Sequence, residues 1–145
     1  MDGTEMRIAN RREEVRSAAA MVERFSAERR IPGQVVHDIS VALDEVLANI
    51  ISYAFAPGEE SEIVIRLVHR SAEVELLVED RGKPFDPLNA PRPALGTPLK
   101  ARAVGGLGIH FIRSLMDEVS YERIDGRNLL RLKKRIPQRR GPDAS

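Results

Sequence analysis

Residues 38–53 read DISVALDEVLANIISY, and this stretch decides the fold of the chain. Apolar side chains recur in and just before it at spacings of three and four, which predicts a helix with one buried stripe; they are Val35, Ile39, Ala42, Leu43, Val46, Leu47 and Ile50. Glu45 and Asn49 stand one turn apart along one edge of this stripe. A carboxylate and a carboxamide placed this way can share a metal ion or position an attacking oxygen. Taken alone, the pair is more simply a solvated helix edge.

The composition is that of one globular domain. The chain has 145 residues, of which 42% are hydrophobic and 31% charged, enough for a sizeable core. No apolar run is long enough for a membrane span, the first residues do not resemble a signal peptide, and cysteine is absent, so we expect no membrane partner and a cytoplasmic location. A net charge of +1 and an aromatic content of 4% give no reason to expect nucleic acid binding.

Periodicity and turn residues predict the order β, α, α, β, β, loop, α, β, β. Asn10 is the expected N-cap of the first helix. The predicted strands cover residues 6–8, 63–67, 74–78, 119–124 and 130–136. Strand hairpins with helices on one face indicate an α+β fold, a two-layer α/β sandwich with a mixed, mainly antiparallel sheet. We expect residues 1–136 to form a single domain and residues 137–145 to be a disordered tail.

A second motif follows the strand that ends near residue 80, in the sequence VEDRGKPFDP at residues 78–87. Asp80 at the end of a strand is placed to accept a hydrogen bond from an amino group such as that of adenine. Gly82 would allow a ring to approach the backbone. The alternative is an Asp-Gly turn leading into a loop that is fixed by prolines.

A third motif is Gly-Gly-Leu-Gly at residues 105–108, where a helix begins. Glycines here free backbone N–H groups, and the helix N-terminus favours an anion, so the motif is a candidate phosphate cradle. A flexible hinge is the alternative. The sequence is neither a P-loop nor a dinucleotide fingerprint, since the residues that complete those motifs are missing.

Together the three motifs are more specific than any one of them. Glu-x-x-x-Asn on a helix, Asp-x-Gly-x-Pro-Phe-Asp-Pro after a strand and Gly-Gly-Leu-Gly before a helix resemble the GHKL nucleotide-binding fold (the Bergerat fold) of gyrase, Hsp90, histidine kinases and MutL. Within that superfamily, the proline after the second motif and the run at residues 106–119 are similar to the anti-sigma-factor switch kinases of the RsbW and SpoIIAB type. The resemblance extends from the first helix to residue 136.

The resemblance implies roles for the matching residues. Asn49 would ligate Mg²⁺ bridging the phosphates of ATP, and Glu45 would be the catalytic base for the attacking hydroxyl. Asp80 would bind the adenine amino group, and Gly82 would leave room for the base.

The resemblance also implies a phosphate site and a lid. The phosphate-binding residues would be Gly105, Gly106, Leu107 and Gly108, with residues 81–104 as the ATP lid. Family members often carry threonine near the adenine in the last hairpin. This sequence has Asn128 there, which can still form hydrogen bonds to the nucleotide.

The function implied by the resemblance is a switch serine/threonine protein kinase that uses ATP and Mg²⁺. It would phosphorylate a STAS-domain anti-anti-sigma partner, sequester a sigma factor or another regulator, and form a homodimer. The alternative is a non-catalytic nucleotide-binding module that sequesters a regulator without phosphotransfer. An ATPase of the gyrase or chaperone kind is a third reading, and no additional domain that it could drive is evident.

Overall fold

The computed structural model describes residues 2–85 and 108–137. Its elements are β1 (Asp2–Ala9), a 3₁₀ turn (Arg12–Glu14), α1 (Val15–Glu28), α2 (Gly33–Tyr53), β2 (Glu62–Arg70), β3 (Glu73–Asp80), α3 (Gly108–Leu115), β4 (Glu118–Ile124) and β5 (Arg127–Arg135). The predicted order of strands and helices is confirmed. Apart from Pro137, the predicted disordered tail lies outside the described residues.

The five strands form one sheet in the order β1-β2-β3-β5-β4. All four pairings are antiparallel, so the described part of the sheet contains none of the parallel pairing that a mixed sheet would have. The predicted α+β sandwich is confirmed. One sheet face is apolar and packs with the helices into a single core; its fully buried members include Ile63, Ile65, Leu67, Leu76, Val78 and Leu132.

Helix α2 contributes most to this core. All seven residues of its predicted apolar stripe are buried. Leu43 and Leu47 are 1% and 0% exposed, and a side chain of this size stabilises the fold by about 1.5–3 kcal/mol when it is fully buried. None of the helices within the described residues is both long and apolar enough to cross a membrane.

The prediction for Asn10 is wrong. The 3₁₀ turn before α1 begins after Arg11, and no side chain caps it. The Asn10 side chain forms long-range hydrogen bonds instead, donating to the Glu59 carbonyl at 2.8 Å and accepting from the Ser61 backbone N–H at 3.0 Å. These bonds hold the end of β1 against the start of β2.

The β4–β5 hairpin closes through a two-residue Asp-Gly turn. Asp125 and Gly126 have φ values of 48° and 76°. Two consecutive positive φ values are what a type I′ turn needs, and that turn matches the twist of the paired strands. The turn therefore sets the register that places Tyr121 opposite Leu130 and Arg123 opposite Asn128.

A buried ion pair joins α2 to the other end of β5. Lys134 Nζ lies 3.0 Å from Asp38 Oδ2 and donates to the Leu115 carbonyl at the end of α3, at 2.6 Å. Gln34 donates to the other oxygen of Asp38 at 2.9 Å. Burial acts to raise the pKa of Asp38, but the hydrogen bonds from Lys134, His37 and Gln34 outweigh it and hold that pKa below its usual value. One lysine thus links all three elements.

Replacing Lys134 by methionine keeps most of the side-chain length and removes the charge. Asp38 then stays buried without a cation, so we expect the free energy of unfolding at pH 7 to fall by about 3 kcal/mol, measured by urea denaturation. Lys133→Met is the matched control. Lys133 pairs with the exposed Glu118 and with the buried Glu75. Glu75 keeps Arg70 and Arg131 within 4 Å when Lys133 is replaced, so Lys133→Met should destabilise the protein less than Lys134→Met does. Equal losses of unfolding free energy in the two variants would contradict the assignment of Lys134 as the cation that stabilises the buried Asp38.

The same variant should show a distinct pH dependence. The folded pKa of Asp38 lies below the ordinary value of 3.8. The stabilisation that the Asp38 carboxylate contributes is therefore complete when the pH is above 3.8, and it is lost as the pH falls through the folded pKa. The stability difference between wild type and Lys134→Met should therefore shrink in acid.

Candidate functional site

A cleft opens between α2, α3 and the adjoining ends of β3, β4 and β5. Its volume is about 310 Å³, including the space at its open mouth. It is lined by Val46, Asn49, Ile50, Asp80, Phe85, Ile112, Tyr121, Asn128 and Leu130. The walls are thus mostly apolar, with one carboxylate and two carboxamides among them. Ligand pockets commonly have this composition.

Asp80 is the only carboxylate that lines the cleft among the described residues, and it is 3% exposed. Its Oδ1 accepts hydrogen bonds from the Gly82 backbone N–H at 2.9 Å and from Asn128 Nδ2 at 3.0 Å. Its Oδ2 accepts none from the described part of the chain. Burial raises the pKa of Asp80, and the hydrogen bonds from Asn128 and Gly82 together with the charge of Arg123 offset this only in part. The carboxyl group therefore has one acceptor oxygen without a partner among the described residues.

Gly82 is required by a backbone contact with the end of α2. A Cβ atom at this position would lie 2.4 Å from the Ala54 carbonyl oxygen and 2.7 Å from the Ala54 Cβ, closer than real Cβ atoms approach. The next residue, Lys83, donates its N–H to the same carbonyl at 2.9 Å. The structure thus gives a reason for this glycine other than the predicted room for a base, namely close packing between the turn and the helix.

Asn49 has a buried carboxamide without a partner. It is 2% exposed, and neither its Oδ1 nor its Nδ2 forms a hydrogen bond with the described residues. Glu75 Oε2 is the one other buried side-chain atom in this condition within residues 2–85 and 108–137, but it has cations within 4 Å, Arg70 and Lys133. A buried polar group without a partner costs about 1–3 kcal/mol, so Asn49 is the strongest indication of a missing ligand.

Glu45 lies one turn before Asn49 on α2 and is half-buried. It is not among the residues that line the cleft, and it forms no hydrogen bond or ion pair with the described residues. Its carboxylate is therefore held at the edge of the site by the helix alone.

The glycine motif is described only at its end. Gly108 is the first residue of α3, and α3 packs against α2 with Ile112 in the wall of the cleft. Gly105, Gly106 and Leu107 lie outside the described residues, as does the predicted lid beyond residue 85. The structure therefore brings together Asn49, Asp80, Gly82 and Asn128, with Glu45 next to them.

The sequence did not predict four further residues around the cleft. Tyr53 stacks on Phe85, with ring centroids 5.6 Å apart. Arg123 Nη1 donates to the Gly82 carbonyl at 2.8 Å, and the Tyr121 hydroxyl donates to Asn128. Tyr121 and Arg123 could have been found from the sequence, because they alternate with Val119 along β4 and alternate residues of a strand lie on one sheet face.

A divalent metal fits this site only with help from a ligand. Within residues 2–85 and 108–137, no group of three or more His, Asp or Glu side chains could hold an ion. Mg²⁺ commonly uses one or two protein oxygens together with substrate phosphates and water. The unpartnered Oδ1 of Asn49 is such an oxygen, so the donor set fits Mg²⁺ bound together with a phosphorylated ligand.

Comparisons with known proteins agree with this geometry. The profile described as "Histidine kinase-like ATPase domain" matches residues 8–134. The serine/threonine-protein kinase BtrW of Bordetella bronchiseptica is 36% identical over 113 residues, which cover 78% of this chain and 75% of BtrW. The serine-protein kinase RsbW of Bacillus pumilus is 30% identical over 98 residues, which cover 63% of this chain and 60% of RsbW. The chain thus spans less than two thirds of the length of that relative.

Solved structures share the fold at low sequence identity. The RsbU and RsbW domains of Rv1364c from Mycobacterium tuberculosis match 94% of this chain and 32% of their own, with a TM-score of 0.68 and 17% identity. The catalytic domain of the histidine kinase ThkA matches 94% of this chain and 97% of its own, with a TM-score of 0.52 and 15% identity. The match over residues 8–134 and the relationship to BtrW show that the chain belongs to the histidine kinase-like ATPase domain family, among the relatives of the RsbW-type serine-protein kinases.

Proposed function

We propose that this chain is a serine/threonine protein kinase that binds ATP with Mg²⁺ and phosphorylates a STAS-domain partner. The observation that carries the proposal is the buried carboxamide of Asn49, which has no hydrogen-bond partner among residues 2–85 and 108–137 and lies in an apolar cleft that also contains Asp80. Family membership supports nucleotide binding, and the names of the relatives support the kinase assignment.

Adenine fits the chemistry of the cleft. Asp80 Oδ2 is an acceptor for the 6-amino group, since its other oxygen is already bound to Gly82 and Asn128. Apolar side chains such as Val46, Ile50 and Leu130 line the space beside it and would cover the faces of the purine ring. An acceptor in an apolar pocket favours a base with an amino group over one with a carbonyl at that position.

Asn49 and the glycine motif would bind the phosphates. Asn49 Oδ1 would ligate Mg²⁺, and when it is bound this ion neutralises charge on the phosphate oxygens. Backbone N–H groups would come from Gly105, Gly106 and Leu107, which precede α3, and from Gly108, its first residue. The positive end of a helix dipole at that point adds to the attraction for an anion.

Glu45 would be the catalytic base. The hydroxyl oxygen of a serine or threonine attacks the γ-phosphorus, forming a new O–P bond, while the bond from that phosphorus to the β,γ-bridging oxygen breaks and ADP leaves. The hydroxyl proton passes to the Glu45 carboxylate. Its half-buried position one turn from Asn49 supports this role, because Asn49 would bind the phosphates.

The partner-switching role is the finer part of the proposal. The unphosphorylated STAS-domain protein would compete with a sigma factor or another regulator for this kinase, and phosphorylation would end that competition. We place the reaction in the cytoplasm and expect the chain to act as a homodimer. The kinases BtrW and RsbW support the kinase step of this scheme.

A non-catalytic nucleotide-binding module is the alternative function. Such a module needs Asn49 and Asp80 but has no use for a base at residue 45. The Glu45 carboxylate is half-buried and is not engaged in an ion pair with the described residues, which favours the kinase.

Replacing Glu45 by alanine should slow phosphotransfer strongly and leave ATP binding intact. A general base contributes about 10²–10⁴-fold to rate, so we expect a loss in that range when phosphate transfer from labelled ATP to the STAS partner is measured. Glu23→Ala, an exposed position on α1, is the control and should retain full activity. ATP binding without transfer by the wild-type protein would favour the non-catalytic module.

Asn49→Ala should weaken binding of ATP mainly when Mg²⁺ is present. Loss of the metal ligand should cost about tenfold in affinity, which is the effect of one hydrogen bond to a charged group. The affinity measured in EDTA should change less. Isothermal titration with and without Mg²⁺ separates the two. An equal loss of affinity in Asn49→Ala and Glu45→Ala would contradict the separate roles of these residues.

Asp80→Asn should lose ATP binding without losing stability. Asn can keep the acceptor for Gly82 and Asn128, but it presents an N–H donor to the adenine amino group. The raised pKa of Asp80 means that folding favours its neutral form, so wild type loses stability as the pH rises from the unfolded pKa through the folded one. In urea denaturation without nucleotide, the variant should equal or exceed wild type at pH 7, and its advantage should shrink toward pH 4. A less stable variant at pH 7 would refute this.

A further inference from the structure

Asn128 has no donor left for a bound ligand. It is 4% exposed, and its Nδ2 donates to Asp80 Oδ1 at 3.0 Å and to the Lys83 carbonyl at 2.8 Å. A carboxamide carries two N–H donors, and these two bonds use both. The Asn128 side chain thus links the end of β3 to the segment that follows Gly82.

Its acceptor is also occupied. The Tyr121 hydroxyl and Arg123 Nη1 both donate to Asn128 Oδ1, and the Phe85 backbone N–H lies 3.4 Å from the same oxygen. A carbonyl oxygen has two lone pairs, so these donors satisfy it. Nothing in this side chain remains to bind a nucleotide.

The surrounding groups also fix the orientation of the amide. If Asn128 were flipped, its oxygen would face Asp80 Oδ1 and the Lys83 carbonyl, which are both acceptors, and its NH₂ would face the donors of β4. The orientation in the structure satisfies every pair. It also keeps Asp80 Oδ1 engaged, which leaves Oδ2 as the oxygen available to the cleft.

We infer that Asn128 is a positioning residue, which holds the Asp80 carboxylate in the orientation that reads the adenine amino group and does not touch the nucleotide itself. The inference rests on the proposed function and replaces the direct nucleotide contact that the sequence suggested for Asn128. A threonine at this position has a single donor and could not serve Asp80 and the Lys83 carbonyl together. In this chain, Asn128 bonds to both groups. It therefore couples the position of the segment at residues 83–85 to Asp80, the residue that selects the base.

The test compares ATP with the triphosphate of purine riboside, which lacks the 6-amino group. Asn128→Asp keeps the shape but replaces the NH₂ group, which donates both bonds, by a carboxylate oxygen that faces Asp80 and the Lys83 carbonyl. We expect the affinity for ATP to fall about tenfold or more, while the affinity for the analogue, which makes no use of Asp80, changes less than about twofold. Asn128→Thr, which keeps one donor, should show the same selective loss to a smaller extent, and it decides the question if Asn128→Asp does not fold.

Asn10→Asp is the matched control. The Asn10 carboxamide also uses its NH₂ and its oxygen within the protein, with Glu59 and Ser61, at a place that does not line the cleft. This variant should lose stability and keep the wild-type preference for ATP over the analogue. The ratio of the affinities for ATP and for the analogue therefore distinguishes a loss of the Asp80 orientation from a general loss of structure.

Two results would overturn the inference. Equal loss of affinity for ATP and for the analogue would mean that Asn128 contacts another part of the nucleotide, and unchanged ATP affinity would mean that it has no role. A wild-type protein that binds neither nucleotide would contradict the proposed function instead. NMR titration of the Asp80 carboxyl would then decide the inference. Its pKa should rise further in the Asn128 variant that folds, because a hydrogen bond from Asn128 is lost while the charges of Arg123 and Glu79 are still present. An unchanged pKa would overturn it.

Discussion

The packing of α2 against the apolar face of the sheet is the constraint on which the rest of the structure depends. The helix has one stripe that must be buried, and once that stripe faces the sheet the direction of every other side chain on α2 is fixed. Asn49 therefore lies buried between Val46 and Ile50, while Glu45 lies half-buried at the edge of the stripe. The positions of Asn49 and Glu45 therefore follow from core packing, and no loop has to place these two side chains.

The sheet contributes the other half of the site through its register. Along β3 and β5 the inner face is apolar, with Val78 opposite Leu130, and it turns polar one pair further on, where Asp80 stands opposite Asn128. A carboxylate at that depth is costly unless its charge is compensated by hydrogen bonds. The compensation is incomplete here, which the raised pKa of Asp80 records. The fold thus retains an unfavourable group at the place where a ligand with a donor would relieve it.

Much of the fold could be predicted from the sequence because its patterns are local. The spacing of the α2 stripe, the alternation along β2 and β3 and the Asp-Gly turn each depend on residues that are close together in the chain. Asn49 and Asp80 could be named for the same reason, since each lies in a short motif.

The remaining features depend on contacts between residues that are distant in sequence. Asn10 was predicted to cap the following helix, but its partners are at residues 59 and 61. The hydrogen bonds that occupy Asn128 come from three separate segments, and only the strand register brings them together. Residue 82 must be glycine because it packs against Ala54, which lies 28 positions earlier in the chain. No local pattern reveals this contact.

The contact between Gly82 and Ala54 limits how this sequence can diverge. The turn after β3 and the end of α2 meet almost backbone to backbone, so there is no side chain between them that could shrink to make room for a larger neighbour. Position 82 must stay glycine for as long as the helix ends where it does. A descendant of this chain could change that residue only by shortening or redirecting α2, which would also displace Tyr53 from Phe85 at the mouth of the cleft.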